Sequence, residues 1–196
     1  MDAIEAIFTR RSTRNYRPDP VEPEKLEKII EAGRRAPCGG NTQTNHFLVI
    51  QDPETIRKLI EMAERAFAKM EIREDTYASL KHSITASKKG GYVFCYNAPV
   101  LIVAANRRDY GNNIADCACA IENMMIAANA LDLGSCWINQ LKWLNEEPEL
   151  LEFLRSLGLK EDERVYGSVS IGYPATDDGL PNRSPREQKG NEVTYI

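Results

Sequence analysis

The sequence predicts an α+β or three-layer α/β/α fold in which a sheet is held between helices. Three observations predict it. Helical and strand-like periodicities are interleaved along all 196 residues. The stretches joining the strand candidates are long enough to hold helices. One helix candidate, Asn113 to Leu131, is apolar around most of its circumference and is therefore expected to be nearly all buried. At roughly 100–200 residues per domain the length fits a single domain, residues 1–196.

Taken in order, Asp2 to Thr9 reads as a short helix that Asp2 caps, with Ile4, Ile7 and Phe8 on one apolar face. Arg10 to Tyr16 is extended or irregular. Pro23 to Arg35 is a helix with proline in its first turn and Leu26, Ile29 and Ile30 facing inward. It ends at Ala36-Pro37, and Cys38 to Asn45 carries no apolar periodicity, which marks a loop. His46 to Ile50 is a buried strand, and Pro53 to about Met70 a helix with Ile56, Leu59, Ile60, Ala63 and Phe67 on its core face. The segment 71–91 is polar and weakly helical, and is expected to be an insertion, a lid or a partner contact. Pro99 to Ala105 is apolar on both faces and so belongs in the middle of a sheet. Strands follow at Gly134 to Ile138 and Arg164 to Gly172, with a helix near Glu147–Leu157 between them. The tail, 173–196, is rich in proline and glycine but ends in Val193-Thr194-Tyr195-Ile196. An apolar end without a core of its own is expected to reach across to a second copy of the chain.

Composition narrows the function. With 25 basic and 29 acidic residues the formal charge is −4, which disfavours nucleic acid as a partner. No apolar run approaches the roughly 20 residues of a membrane helix, so no membrane partner is expected. The opening Met1-Asp2-Ala3-Ile4-Glu5 is acidic, unlike a secretory signal, and five cysteines without regular spacing point to a reducing cytoplasm. Cys117 and Cys119 point about 200° apart on a helix, so no metal is expected there. His46 opens a buried strand and His82 sits in a polar stretch. Neither belongs to a metal or triad pattern, and there is no glycine-rich phosphate loop.

Three constellations remain. Arg10, Arg11, Ser12 and Arg14 can clamp a phosphate or an electron-rich ring edge, since guanidinium forks bind such groups bidentately. The same residues also suit a solvated basic corner after a helix end. Asn41 and Gln43 sit in the loop before a buried strand, where paired side-chain amides can match the alternating C=O and N–H edge of a heterocycle or simply form a polar turn. Gly134-Ser135-Cys136-Trp137 follows the buried helix. Its glycine permits close approach to a flat ligand, and Trp137 can pack beside that ligand or within the core.

Collinear along the chain, these segments resemble the FMN-dependent nitroreductase family. The resemblance rests on Arg10-Arg11-Ser12-Thr13-Arg14, on Arg35 to Gln43, on Asp116 to Ala128 and on Leu133 to Ile138, with a weaker block at Gly172-Tyr173-Pro174-Ala175. It implies a central, mainly antiparallel sheet and a homodimer with one tightly bound FMN in each of two interface pockets. It also implies a tail extended onto the partner subunit. NADH or NADPH would act as transient reductant in a ping-pong cycle that reduces nitroaromatics, quinones or flavins, without any side chain acting as acid or base. The resemblance carries Arg10, Arg11, Ser12 and Arg14 onto the FMN phosphate and pyrimidine edge. It carries Asn41, with Gln43, onto the FMN contact, with Pro37, Cys38 and Gly39 approaching from the opposite subunit. Ser135, Cys136 and Trp137 would lie along the isoalloxazine, and Arg186 would meet the phosphate, or Arg183 if the tail aligns three residues out.

Two departures stand out. The family loop reads Pro-Ser-x-x-Asn-x-Gln-Pro-Trp, whereas here Cys38-Gly39-Gly40 and Thr44-Asn45 replace the usual residues. The chain is also short for the family. Both bear on the acceptor more than on FMN, and leave open a specialised flavoenzyme of the same fold or an FMN-binding storage or redox-responsive protein without turnover.

Overall fold

A computed structural model describes residues 1–184, 187 and 189–196. Among the described residues eleven helices and strands follow one another: α1 Ala3–Thr9, α2 Pro23–Arg34, β1 His46–Ile50, α3 Pro53–Lys69, α4 Ala78–Lys89, β2 Val100–Arg107, α5 Asn113–Ala130, β3 Gly134–Ile138, α6 Gln140–Trp143, α7 Pro148–Ser156 and β4 Glu163–Gly172, with a 3-10 turn at Gly39–Asn41.

 The four strands run in the order β1-β2-β4-β3 and every pairing is antiparallel. This is the α+β, three-layer arrangement expected, and β2 is one of its two inner strands.

Side-chain alternation explains the layers. Along β2, Leu101, Val103 and Ala105 point into one core, and Val100, Ile102 and Ala104 into the other. The first core is closed by Ile56, Leu59, Ala63 and Phe67 of α3, Ile84 of α4, Leu141 of α6 and Leu150 and Leu154 of α7. The second is closed by Leu26 and Ile29 of α2 and by Cys117, Ile121, Met124, Met125 and Ala128 of α5. A strand buried on both faces must read as a continuous apolar run, which is why β2 is so plain in the sequence.

Several expectations need correction. The apolar face of α1 points outward: Ile4 and Phe8 are 60% and 73% exposed, and Ala6 is the residue that packs inward. Small Ala6 permits the close approach at which Asn129 Nδ2 donates to the Ala6 carbonyl at 2.9 Å. Nor is α5 buried all round. Ile114, Ala115, Cys119 and Glu122 form an exposed outer stripe on the isolated chain. Within 71–91, α4 is a regular helix packed on α3, with Ser83, Ile84 and Ser87 buried. Its inward face carries one large apolar residue flanked by serines, too weak a pattern to read in advance. His46, by contrast, is structural, as its place at the start of a buried strand suggests: its Nδ1 lies 2.7 Å from Oε2 of buried Glu163. The tail after Gly190 has no regular structure, and Val193, Tyr195 and Ile196 are exposed.

Candidate functional site

The arginine segment owes its position to the open edge of β3. Ser12 forms a parallel bridge to Ser135, and the Thr13 amide donates to the Ser135 carbonyl at 2.8 Å. Gly134 makes this possible. A Cβ built there would lie 2.5 Å from Thr13 Oγ1 and 2.7 Å from Thr13 Cβ. The space that the sequence reading left for a flat ligand beside Gly134 is therefore filled by the chain's own Thr13, because the unpaired strand edge recruits backbone first.

Arg10, Arg11, Ser12 and Arg14 are brought together along one cleft of about 800 Å³, whose far wall is Asn182, Glu187 and Lys189. Arg10 Nη1 is buried and has no hydrogen-bond partner among the described residues, while its Nε lies 3.8 Å from Glu122. Arg11 is spent partly on the tail, donating to the Ser184 carbonyl at 2.7 Å. The Arg14 guanidinium sits 6.0 Å from the centre of the Tyr96 ring. Burial works against its charge, but Cys136 and Tyr96 more than offset that, and its pKa lies above the ordinary arginine value. Tyr96 and Asn97 are both in the left-handed region, at φ 58° and 56°, so Arg14 packs against a strained turn.

The other half of the predicted set lies elsewhere on the chain. Cys38, Asn41 and Gln43 line a second cleft, of about 590 Å³, with Arg34, Arg35 and Asn45. Pro37 is exposed, and Gly39 is half-buried beneath this loop. The two clefts share no lining residue. The loop itself is tightly wound: Gly40, Asn41 and Gln43 all have positive φ, at 58°, 54° and 49°, and Gln43 Nε2 donates to Asn41 Oδ1 at 3.1 Å.

On β3 the alternation of the strand separates the predicted ring contacts. Ser135 is buried beneath Ser12, and Cys136 points into the core closed by α3. Burial pushes the Cys136 thiol up, against the opposing pull of Arg14, Ser12 and Arg10. Trp137 packs on the α5 side and donates from Nε1 to Asn139 Oδ1 at 2.8 Å. Arg183 is held away from the cleft by Asp132, at 2.7 Å, and by Asn129. Arg186 lies outside the described residues.

Two residues that sequence reasoning gave no role stand under the amide loop. Asp116 accepts from the Gly39 amide at 3.1 Å, and the Tyr110 hydroxyl lies 3.1 Å from Asp116 Oδ2 and 3.0 Å from the Gly39 carbonyl oxygen. The available signal was an acid among the buried positions of a largely apolar helix.

The model of the nitroreductase family matches residues 7–173. The chain belongs to the nitroreductase family. A solved nitroreductase with bound FMN from Bacteroides fragilis is 35% identical and superposes with a TM-score of 0.87, covering 100% of this chain and 99% of its own. A relative from Archaeoglobus fulgidus, named provisionally as an NADH dehydrogenase/NAD(P)H nitroreductase, is 31% identical over 196 residues, or 95% of this chain and 98% of its own length. A nitroreductase from Desulfitobacterium hafniense, 23% identical with a TM-score of 0.81, shares the nitroreductase fold across 100% of this chain and 99% of its own. Among the described residues no helix is long and apolar enough to cross a membrane.

Proposed function

We propose that this nitroreductase-family protein is an FMN-dependent oxidoreductase that draws electrons from NADH or NADPH and passes them to small acceptors such as nitroaromatics or quinones in a ping-pong cycle. The observation that carries the reading is the Arg10–Arg14 cleft with a buried guanidinium nitrogen that has no partner among the described residues. A buried donor without an acceptor costs stability unless a ligand supplies one, and a phosphate or an electron-rich pyrimidine edge does so. The residues therefore fit FMN: Arg10, Arg11 and Ser12 hold its phosphate, and Arg14 steadies negative charge on the ring. FMN when bound supplies hydride acceptance and donation, which explains a site without a paired acid and base.

A homodimer completes the reading. One chain presents the cations and the amide loop in separate clefts, and Cys38, Asn41 and Gln43 of a second copy would bring the amides to the FMN held by the cations. The outward faces of α1 and α5 and the exposed end of the tail supply apolar surface for that contact. Five free cysteines agree with a reducing cytoplasm.

The test is an absorption spectrum of purified protein, with heat-released flavin identified, followed by anaerobic mixing with each nucleotide. FMN near one per chain that bleaches with NADH or NADPH is expected. Protein that neither carries nor takes up FMN overturns the proposal, and FMN inert to both nucleotides leaves a binding role in its place.

A further inference from the structure

We infer that Asp116 is a positioning residue, which together with Tyr110 holds the Gly39–Gln43 loop in the form that presents its amides to the bound nucleotide. The inference rests on the flavin reading above and adds a residue to it.

Asp116 lies in the first turn of α5 and is only 4% exposed. No lysine or arginine among the described residues pairs with it. A buried carboxylate in that position needs donors, and it draws them from the loop: the Gly39 amide reaches its two oxygens at 3.1 and 3.3 Å, and the Tyr110 hydroxyl lies 3.1 Å from Oδ2. The attachment continues outward. The Thr42 hydroxyl donates to Tyr110 at 3.2 Å, and Asn45 Nδ2 donates to the Asp116 carbonyl at 3.0 Å. Asn106 in turn donates to Asn45 Oδ1 at 2.8 Å.

This bracing opposes a conformational cost. Asn41 and Gln43 both occupy the left-handed region, which asparagine tolerates and glutamine does not favour. The loop would relax if it were free. It stays wound because releasing Gly39 leaves a buried charge short of donors. Gly39 is also wedged in place, since a Cβ there would meet Asn112 Nδ2 at 2.0 Å and the Tyr110 hydroxyl at 2.6 Å. Asp116 itself lines neither the amide cleft nor the arginine cleft. It acts through Gly39 on Asn41 and Gln43, which line the cleft.

The experiment measures amide hydrogen exchange over residues 38–45 and FMN dissociation, for wild type, Asp116→Ala, Asp116→Asn and Tyr110→Phe. In Asp116→Ala, exchange in 38–45 should rise at least about tenfold and FMN should bind about tenfold more weakly, with exchange in β4 unchanged. Asp116→Asn, which keeps an oxygen for the Gly39 amide, should fall between Asp116→Ala and wild type. Tyr110→Phe should shift both readouts in the same direction, and it carries the test if Asp116→Ala fails to fold. Wild-type exchange and wild-type FMN affinity in these variants overturn the inference, as does loosening spread equally into β4. Wild-type protein that takes up no FMN refutes the flavin reading instead, while the exchange data still decide whether Asp116 holds the loop.

Discussion

Replacing Gly134 with alanine tests how the cation cleft is built. The Gly134 backbone is not in the left-handed region, so alanine meets no conformational penalty and even gains about 0.4–1 kcal/mol from a less flexible unfolded chain. Crowding opposes this. The new methyl would sit 2.7 Å from Thr13 Cβ, about 0.7 Å inside the 3.4 Å at which ordinary contact begins, and that atom is fixed to the backbone. Overpacking of this kind costs about 1–3 kcal/mol, so over nearly all of that range crowding wins, with a central net loss of about 1.3 kcal/mol. For a chain of this size that lowers Tm by roughly 3–5 °C. Relief requires the arginine segment to lift from β3, so FMN affinity should fall as well. Thermal melts and FMN titrations of Gly134→Ala, Thr13→Ala and the double variant read both effects. Thr13→Ala removes the Oγ1 and Cγ2 contacts and should partly rescue Gly134→Ala, with a coupling of at least about 0.5 kcal/mol. A Gly134→Ala protein that melts at or above wild type, with no coupling to Thr13, refutes the reasoning.

Four further outcomes are expected. The double variant Arg10→Ala/Arg14→Ala should be purified without FMN, and stoichiometric flavin retained in it contradicts the cleft assignment. Deleting Gly190–Ile196 should raise the dissociation constant of the proposed dimer, and light scattering at falling concentration shows whether it does. Burial pushes the Cys95 thiol to about 11 and Cys117 to about 12 and raises Cys136, so these three should stay unreactive to a disulfide reagent at pH 8 until the protein unfolds. For Glu163, desolvation raises the pKa, but the Lys160 amide and His46 pull it down and prevail. Its folded pKa is thus below the unfolded one, so its contribution is present above about pH 4.3 and lost as pH falls through the folded value. Melting curves should then show Glu163→Gln less stable than wild type at pH 7 by about 1–3 kcal/mol, the gap closing toward pH 3.

Much of the fold was legible because its signals are local. Proline at the first turn of α2 and α3, the Asp2 cap, and the two-faced apolar run of β2 each act within a few residues. Where the local signal is thin, the reading stopped short: α4 turns inward on little more than Ile84, so only weak helicity showed there, and the four-residue α6 is too short for any period to show. The arginine cluster was visible as a run of charges, and the structure does gather it along one cleft.

What the sequence determined by itself is therefore the order and type of the longer elements, the layered class, and the run of cations that the fold gathers along one cleft. Tertiary structure alone decided which way each face turned and what each polar group found. Ile4, Ile7 and Phe8 make the same apolar stripe whether it faces in or out, and only the docking of Ala6 on α5 turned it outward. Gly134 permits close approach by anything, and only the open edge of β3 made that neighbour Thr13. Asp116 and Gly39 are 77 positions apart, and their bond exists because the sheet brings the start of α5 beneath the loop. Periodicity is a property of neighbours along the chain, whereas these contacts are set by packing between layers, to which no local pattern refers.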